Sequence, residues 1–322
     1  MEQLYPYAVG RIRAIEGNLL TNQELKQMAD ENSLEKVYAI LQEHGYAIEE
    51  VEGKLNFGNM LEIERERLYK LMKELAQNEN FVDLFLCKND YHNLKTILKG
   101  MYMNKPYEKY LTDGGTIPKS QLVESLENKN YSSLPSRMEQ AIKDAIFQVE
   151  KSNQVQKIDL ILDKANFEEM KQIADESKNE FLEKYVVMLC DLTNIKMFLR
   201  VINLGYKEEL FSDAYLEVGS ISKSIFEQSF TLDEPIANLE QTAYIDLIKD
   251  IKSKGQEFGK LCDDAMMEYV RVAKFKALTI EPLVAYVYAK ETEIKNVRII
   301  LTGKINQIDP ENIKERLRDS YV

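Results

Sequence analysis

Apolar residues along this chain recur at intervals of three and four rather than in alternation, and that period predicts helices. The run "NMLEIERERLYKLMKELAQ" places Met60, Ile63, Leu68, Leu71, Met72 and Leu75 on one stripe, with charges of both signs between them. A polar helix is predicted from about Arg137 to Lys151, with Ile142, Ile146 and Val149 in register. The runs "QKIDLILDKANFEEMKQIADESKNEFLEKYVVML" and "YIDLIKDIKSKGQEFGKLCDDAMMEYVRVAKFKAL" continue the same period. In "TNQELKQMADE", Thr21 is followed three residues later by Glu24, the pattern of a capping box. Period-two runs are nearly absent, and the 7 prolines and 13 glycines fall mostly between periodic segments. The expected fold class is therefore all-α.

One helical pattern is written three times. With Asn93, Asn194 and Asn296 aligned, Asp90, Asp191 and Glu293 stand three residues earlier. Leu94, Ile195 and Val297 follow, then the bases Lys95, Lys196 and Arg298, then the pairs Ile97–Leu98, Phe198–Leu199 and Ile300–Leu301. An upstream anchor also recurs in "GNLLTNQEL", "GGTIPKSQL" and "VGSISKSIF". In each, an aliphatic (Leu20, Ile117, Ile221) precedes a helix-starting Thr, Pro or Ser. Two anchors in constant order divide the chain into three helical repeats, residues 1–106, 107–210 and 211–322. Repeat units of this length exceed the roughly 20–50 residues of solenoids. Three units around a pseudo-threefold axis, forming one compact body, are expected instead.

At about 100° per residue, Leu94, Ile97 and Leu98 share an apolar arc, with Asp90 inside it and Asn93 on its margin. A buried amide must find partners, so each asparagine is expected to bond a neighbouring helix and set packing register. The preceding acid is expected to cap or to meet a base. Lys95 and Lys99 point away from the arc, as do Lys196 and Arg200; in the third copy Arg298 remains but Thr302 replaces the second base. Lys95, Lys196 and Arg298 are candidate contacts to an acidic partner.

Composition narrows the function. The net charge of -12 argues against nucleic acid or an anionic bilayer as the main partner. Cys87, Cys190 and Cys262 are far apart and lack CxxC spacing, which points to buried free thiols. No apolar leader opens the chain, and its most apolar runs, "YVVMLC" and "LVAYVYA", are far short of the about 20 residues that cross a bilayer. A cytoplasmic protein is expected, meeting a membrane only through something embedded there.

Candidate chemistry is sparse. His44 and His92 stand alone, so a histidine metal site or triad is not indicated. "GQEFGKL" is one residue short of a phosphate loop, and Leu261 occupies the position of its hydroxyl residue. In "DDAMME", Asp263, Asp264 and Glu268 could hold Mg²⁺ if a second cluster such as Asp159 and Asp163 faced them, the pattern of an all-α diphosphate enzyme. The solvated acidic face is the plainer expectation. A helical scaffold for an unrelated partner is the other alternative.

The opening "YPYAVGRIRAIEGNLL", the "DYHNLK" and "DLTNIK" helices and the C-terminal "KETEIKNVRIILTGK" resemble the C subunits of the V-type (V/A-type) ATPases, which are similar to the d subunits of the eukaryotic enzymes. The resemblance spans the chain. It implies a funnel of three similar units with a central cavity, at the foot of the central stalk. It also implies no catalytic residues and no cofactor. The implied partners are the shaft subunits and the membrane rotor ring, with the chain coupling ATP turnover to ion transport.

Overall fold

The structure, a computed structural model, describes residues 5–48, 50–51, 54–76, 80–254 and 258–322. The first helices are α1 (Pro6–Ile15), α2 (Asn22–Asp30), α3 (Leu34–Glu43), α4 (Phe57–Leu75) and α5 (Asp83–Met103). The middle of the chain forms α6 (Lys119–Glu127), α7 (Ser136–Ser152), α8 (Lys157–Ser177), α9 (Glu180–Asn203), α10 (Glu208–Ala214) and α11 (Lys223–Ser229). The last are α12 (Ile245–Lys254), α13 (Phe258–Arg271), α14 (Glu281–Ile305) and α15 (Pro310–Glu315). A two-residue antiparallel pair, β1 (Glu50–Val51) and β2 (Lys54–Leu55), joins α3 to α4 with Glu50 opposite Leu55. The fold is helical, as the periodicity predicts.

Local chemistry sets the ends of these helices. Thr21 caps α2 as expected: its hydroxyl accepts from the Glu24 amide at 3.2 Å, while Glu24 accepts the Thr21 amide at 2.8 Å. The predicted continuous helix around residue 178 is broken in two. Lys178 adopts a left-handed conformation (φ 52°), and the Asn179 side chain then accepts from the Leu182 amide to start α9.

The chain forms two compact units, one from residues 1–77 with 244–322 and one from 78–243. In the contiguous unit, α5 packs on α6 and α8, and α7 on α8. Its core joins Leu94, Ile97 and Leu98 of α5 to Leu122, Met138, Ile142 and Leu162. On α9, the Phe198 ring meets Phe211, Phe226 and Phe230 at centroid distances of 5.7, 5.3 and 5.1 Å. In the other unit, α14 packs on α1, α2, α4 and α15. There Val297, Ile300 and Leu301 meet Leu25, Met28, Leu61 and Ile313. The apolar arc of the repeated helix is thus the core side of α5, α9 and α14. Among the described residues, no helix is long and apolar enough to cross a membrane.

Candidate functional site

The three repeated asparagines are buried, at 1%, 0% and 0% exposure, and all do the same thing. Asn93 donates to the Thr112 carbonyl and accepts the Thr112 amide, both at 2.9 Å. Asn194 forms the same pair with Leu216 at 2.8 and 3.0 Å. Asn296 does so with Arg318, both at 2.9 Å. A side-chain amide carries one donor and one acceptor in the geometry of a peptide group, so it can pair with a backbone as a strand neighbour does. The partner differs from expectation. It is not a neighbouring helix but a non-helical segment after the repeated helix, 19, 22 and 22 residues downstream. Such a segment has unpaired backbone groups, and a second helix has none to offer in its interior.

The preceding acids secure the next stretch of the same segments. Asp90 accepts from the Thr116 amide (2.9 Å), its hydroxyl (2.7 Å) and the Ile117 amide (3.2 Å). Asp191 accepts from the Ser220 hydroxyl (2.6 Å) and the Ile221 amide (3.0 Å). Glu293 accepts from the Leu20 amide at 2.6 Å. The aliphatic anchors therefore meet the acids, but not in the order of the sequence. Ile117 and Ile221 bond the helix before them, and Leu20, near the start of the chain, bonds the last repeated helix. The short helices that follow these anchors, α6, α11 and α2, begin after Pro118, Ser222 and Thr21.

Two glycines allow the close approach. A Cβ on Gly115 would lie 2.0 Å from Asp90 Oδ1, and one on Gly219 would lie 2.2 Å from Asp191 Oδ1. In the third copy the acid is a glutamate, one methylene longer, and Asn18 stands at the glycine position. The hydroxyl donor is missing there as well, since Leu19 replaces Thr116 and Ser220. Tyr46 (2.7 Å) and Lys290 (2.7 Å) bond Glu293 instead. Lys290 also reaches Glu64 at 3.3 Å and lies over the Tyr46 ring. Glu293 thus has a base bonded to it, in accord with the expectation of a nearby base. Burial holds the Asp90 carboxyl above the usual aspartate range, against the lowering effect of its Thr116 and Ile117 donors.

The outward bases diverge from one another. Lys95 is half-buried and donates to Asp163 at 2.5 Å, and Lys99 donates to Asp159 at 2.9 Å. Lys196 is half-buried, and Arg298 is exposed. The pair Asp159 and Asp163, considered for Mg²⁺, is thus matched by Lys99 and Lys95 of α5.

The cluster of Asp263, Asp264 and Glu268 is likewise matched by bases. Asp263 accepts from Lys295 at 2.5 Å and from the Arg318 guanidinium at 3.0 Å. Asp264 accepts the Asp319 amide at 2.7 Å and pairs with Lys260 at 3.1 Å, and Glu268 pairs with Arg271 at 2.8 Å. Asp263 and Asp264 hold the C-terminal tail to α13, and the charge of the cluster is already compensated. Among the described residues, no group of three or more His, Cys, Asp or Glu side chains is placed to hold a metal ion.

The remaining candidates are structural in their contacts. His44 bonds the Asn18 carbonyl at 2.7 Å and Glu24 at 3.0 Å; His92 bonds the Tyr110 carbonyl at 3.2 Å. The three cysteines are buried thiols outside any disulfide, and burial pushes that of Cys190 up to about 12. Of "GQEFGKL", Gly255 to Glu257 lie outside the described residues, and Gly259 to Leu261 lie in α13. The glycines and hydroxyls of the loops were detectable in the sequence, because Gly115 and Gly219 both stand two residues before an anchor. Tyr46, Glu64 and Lys290 follow no repeated pattern, and only tertiary packing brings them together.

The model of the family described as "ATP synthase (C/AC39) subunit" matches residues 8–316. The C subunit of the V-type sodium ATPase of Enterococcus hirae is 27% identical over 319 residues, covering 96% of this chain and 97% of that protein. The C subunit of the A-type ATP synthase of Pyrococcus horikoshii is 23% identical over 340 residues, covering 97% and 89%. That of Methanocaldococcus jannaschii is 24% identical over 342 residues, covering 97% and 86%. With a family match over nearly its whole length and relatives of matching extent, the chain belongs to the C/AC39 family, the family of the V/A-type ATPase C subunits.

Proposed function

We propose that this chain is the non-catalytic adapter of the central stalk in a rotary V/A-type ATPase. It joins the shaft subunits to the membrane rotor ring and passes torque between them during proton or sodium transport. The observation that carries this reading is the family relationship over residues 8–316. A torque adapter needs two docking faces and a body that does not yield between them, and it needs no nucleophile or metal. The repeated locks suit that demand: each ties a loop to a long helix through buried, doubly paired amides, and close-packed interiors resist compression.

In this reading, the segments 1–106, 107–210 and 211–322 surround a pseudo-threefold axis and form a funnel, whose central cavity receives the shaft. The recurrence of one lock in three places supports that arrangement. Lys95, Lys196 and Arg298 contribute contacts to an acidic partner surface. Arg298 is the most direct of the three because it is exposed, whereas Lys95 must first leave Asp163. Lys196→Glu with Arg298→Glu is expected to weaken partner binding while folding stays intact; unchanged affinity removes the bases from the interface.

Reconstitution of the ATPase with and without this chain tests the function itself. Without it, ATP hydrolysis is expected to continue and ion movement to cease. Ion pumping that persists undiminished excludes the adapter role.

A further inference from the structure

Between α13 and α14 the chain makes a short turn, residues 272–280, whose backbone is held; Ala273 and Ile280 are buried and Lys274 lies over the Tyr321 ring, while Val272, Phe275 and Leu278 are exposed. Arg13 of α1 donates to three of its carbonyls, Ala273 at 2.8 Å, Lys274 at 2.9 Å and Lys276 at 3.0 Å. Its second terminal nitrogen, Nη1, donates to Glu16 at 2.9 Å. At the opposite end of α1, the Tyr5 amide donates to the Leu278 carbonyl at 2.7 Å. One guanidinium gathering three carbonyls fixes the path of the turn.

What points outward is unusual for this chain. Phe275 is 89% exposed, Val272 53% and Leu278 46%, and on α1 Tyr7 is 72% exposed. Large apolar side chains in such a group mark an interaction surface rather than ordinary scatter. The exposed charges among them are Arg11, Lys274 and Lys276. From 272 to 280 there is no carboxylate, in a chain of net charge -12. The nearby acids Glu16 and Glu268 are already paired with Arg13 and Arg271. Partial desolvation, then Arg271 and Arg13, lower the Lys274 ammonium, while Glu16 and Glu268 raise it.

We infer that this turn and the outer face of α1 form a docking knuckle, whose occupant is a protein recess lined with apolar side chains and rimmed with carboxylates. Phe275 is the anchor that enters the recess, and Arg11, Lys274 and Lys276 meet the rim. The knuckle rests on the adapter reading: its partner is another component of the same ATPase. Two features favour protein over lipid. The anchor is pre-ordered on a rigid turn, which suits a fitted pocket and lowers the ordering cost of binding. The chain's overall negative charge opposes an anionic bilayer, and the two lysines of the turn with Arg11 of α1 are few against it.

The test uses the full chain and two probes, the purified shaft subunits and the detergent-solubilised rotor ring, with phosphatidylserine vesicles as a third. The wild-type chain is expected to bind at least one protein probe. Phe275→Ala and Lys274→Glu/Lys276→Glu are each expected to weaken that binding about 10- to 100-fold. For the charge pair, the loss should shrink at high salt. Phe147→Ala, at a 59% exposed phenylalanine of α7, is the control and is expected to bind as the wild type does. All variants are expected to keep the wild-type melting temperature, because the altered side chains are at the surface.

Unchanged affinity of the Phe275 and lysine variants for a protein probe that the wild type binds overturns the knuckle and leaves the adapter role standing. A wild type that binds neither protein probe overturns both. Binding to the vesicles that is lost with Phe275→Ala, with protein binding unaltered, makes the turn a lipid contact instead.

Discussion

Asn194 illustrates what a single side chain does here. It exchanges two hydrogen bonds with the Leu216 backbone and also donates to Cys190 Sγ at 3.8 Å, and the site is closed to water. Asn194→Ala leaves the buried Leu216 amide unmatched, at about 1–3 kcal/mol, and its carbonyl with only the weak Cys190 thiol donor at 3.6 Å. A loss of about 2–4 kcal/mol is expected from denaturant midpoints, and a loss below about 0.5 kcal/mol would show that the lock is ornamental. Gly219→Ala attacks the same joint from the other side, since the new methyl would sit 2.2 Å from Asp191 Oδ1, and about 1–3 kcal/mol is expected. Acidic groups respond to pH in opposite senses according to their setting. Burial raises the Glu24 carboxyl, but the hydrogen bonds from Thr21 and the pairing with His44 outweigh it and hold Glu24 below the usual glutamate range. A lowered folded value means that its contribution is present above the ordinary glutamate range and disappears as pH falls through the folded value. The cost of Glu24→Gln should therefore be measurable at pH 7 and vanish in strong acid. Asp90 is raised by burial, so its contribution falls as pH rises from the ordinary aspartate value through the raised one. Asp90→Asn should accordingly cost more in acid than at neutral pH.

At the scale of elements, the helical period and the recurring acid-x-x-Asn pattern were legible because they are local: a 3.6-residue repeat marks its own buried face. Leu94, Ile97 and Leu98 lie in the core as their spacing indicates. The break at Lys178 was not legible, because a left-handed lysine at a helix end carries little compositional signal. The C-terminal tail shows how far a partner can lie from its motif. Arg318 pairs with Asn296 through its backbone and with Asp263 through its side chain, Asp319 meets Asp264, and the Ser320 amide donates to Asn22 at 2.8 Å. Deleting residues 318–322 should destabilise the protein by at least about 3 kcal/mol, because Asn296 is then buried without a partner. Hydrogen exchange should quicken around residues 294–302. Removal of Val322 alone, which is exposed at 37%, should change neither quantity.

At the scale of the whole molecule, the two compact units differ in how the chain supplies them. Residues 78–243 are contiguous and contain two complete locks, whereas the other unit needs both chain ends, 1–77 and 244–322. A fragment of residues 80–243 is therefore expected to melt cooperatively with a helical circular-dichroism spectrum. A fragment of 1–77 alone is expected to stay largely unfolded, because the α14 side chains that complete its core are absent. A non-cooperative 80–243 fragment would show that its two locks depend on the rest of the chain. The sequence by itself determined the helices, their buried faces, the burial of the cysteines and the membership of a rotary-ATPase family, since each depends on short-range period or on similarity distributed along the chain. Only the tertiary structure decided which segment each asparagine holds, that the acidic pairs are matched by lysine and arginine, and that the third lock closes through Leu20 and Arg318. Those pairings join segments far apart along the chain, and hydrogen bonds and ion pairs reach about 3 Å; no spacing along the chain encodes a contact that depends on where folding brings two distant ends.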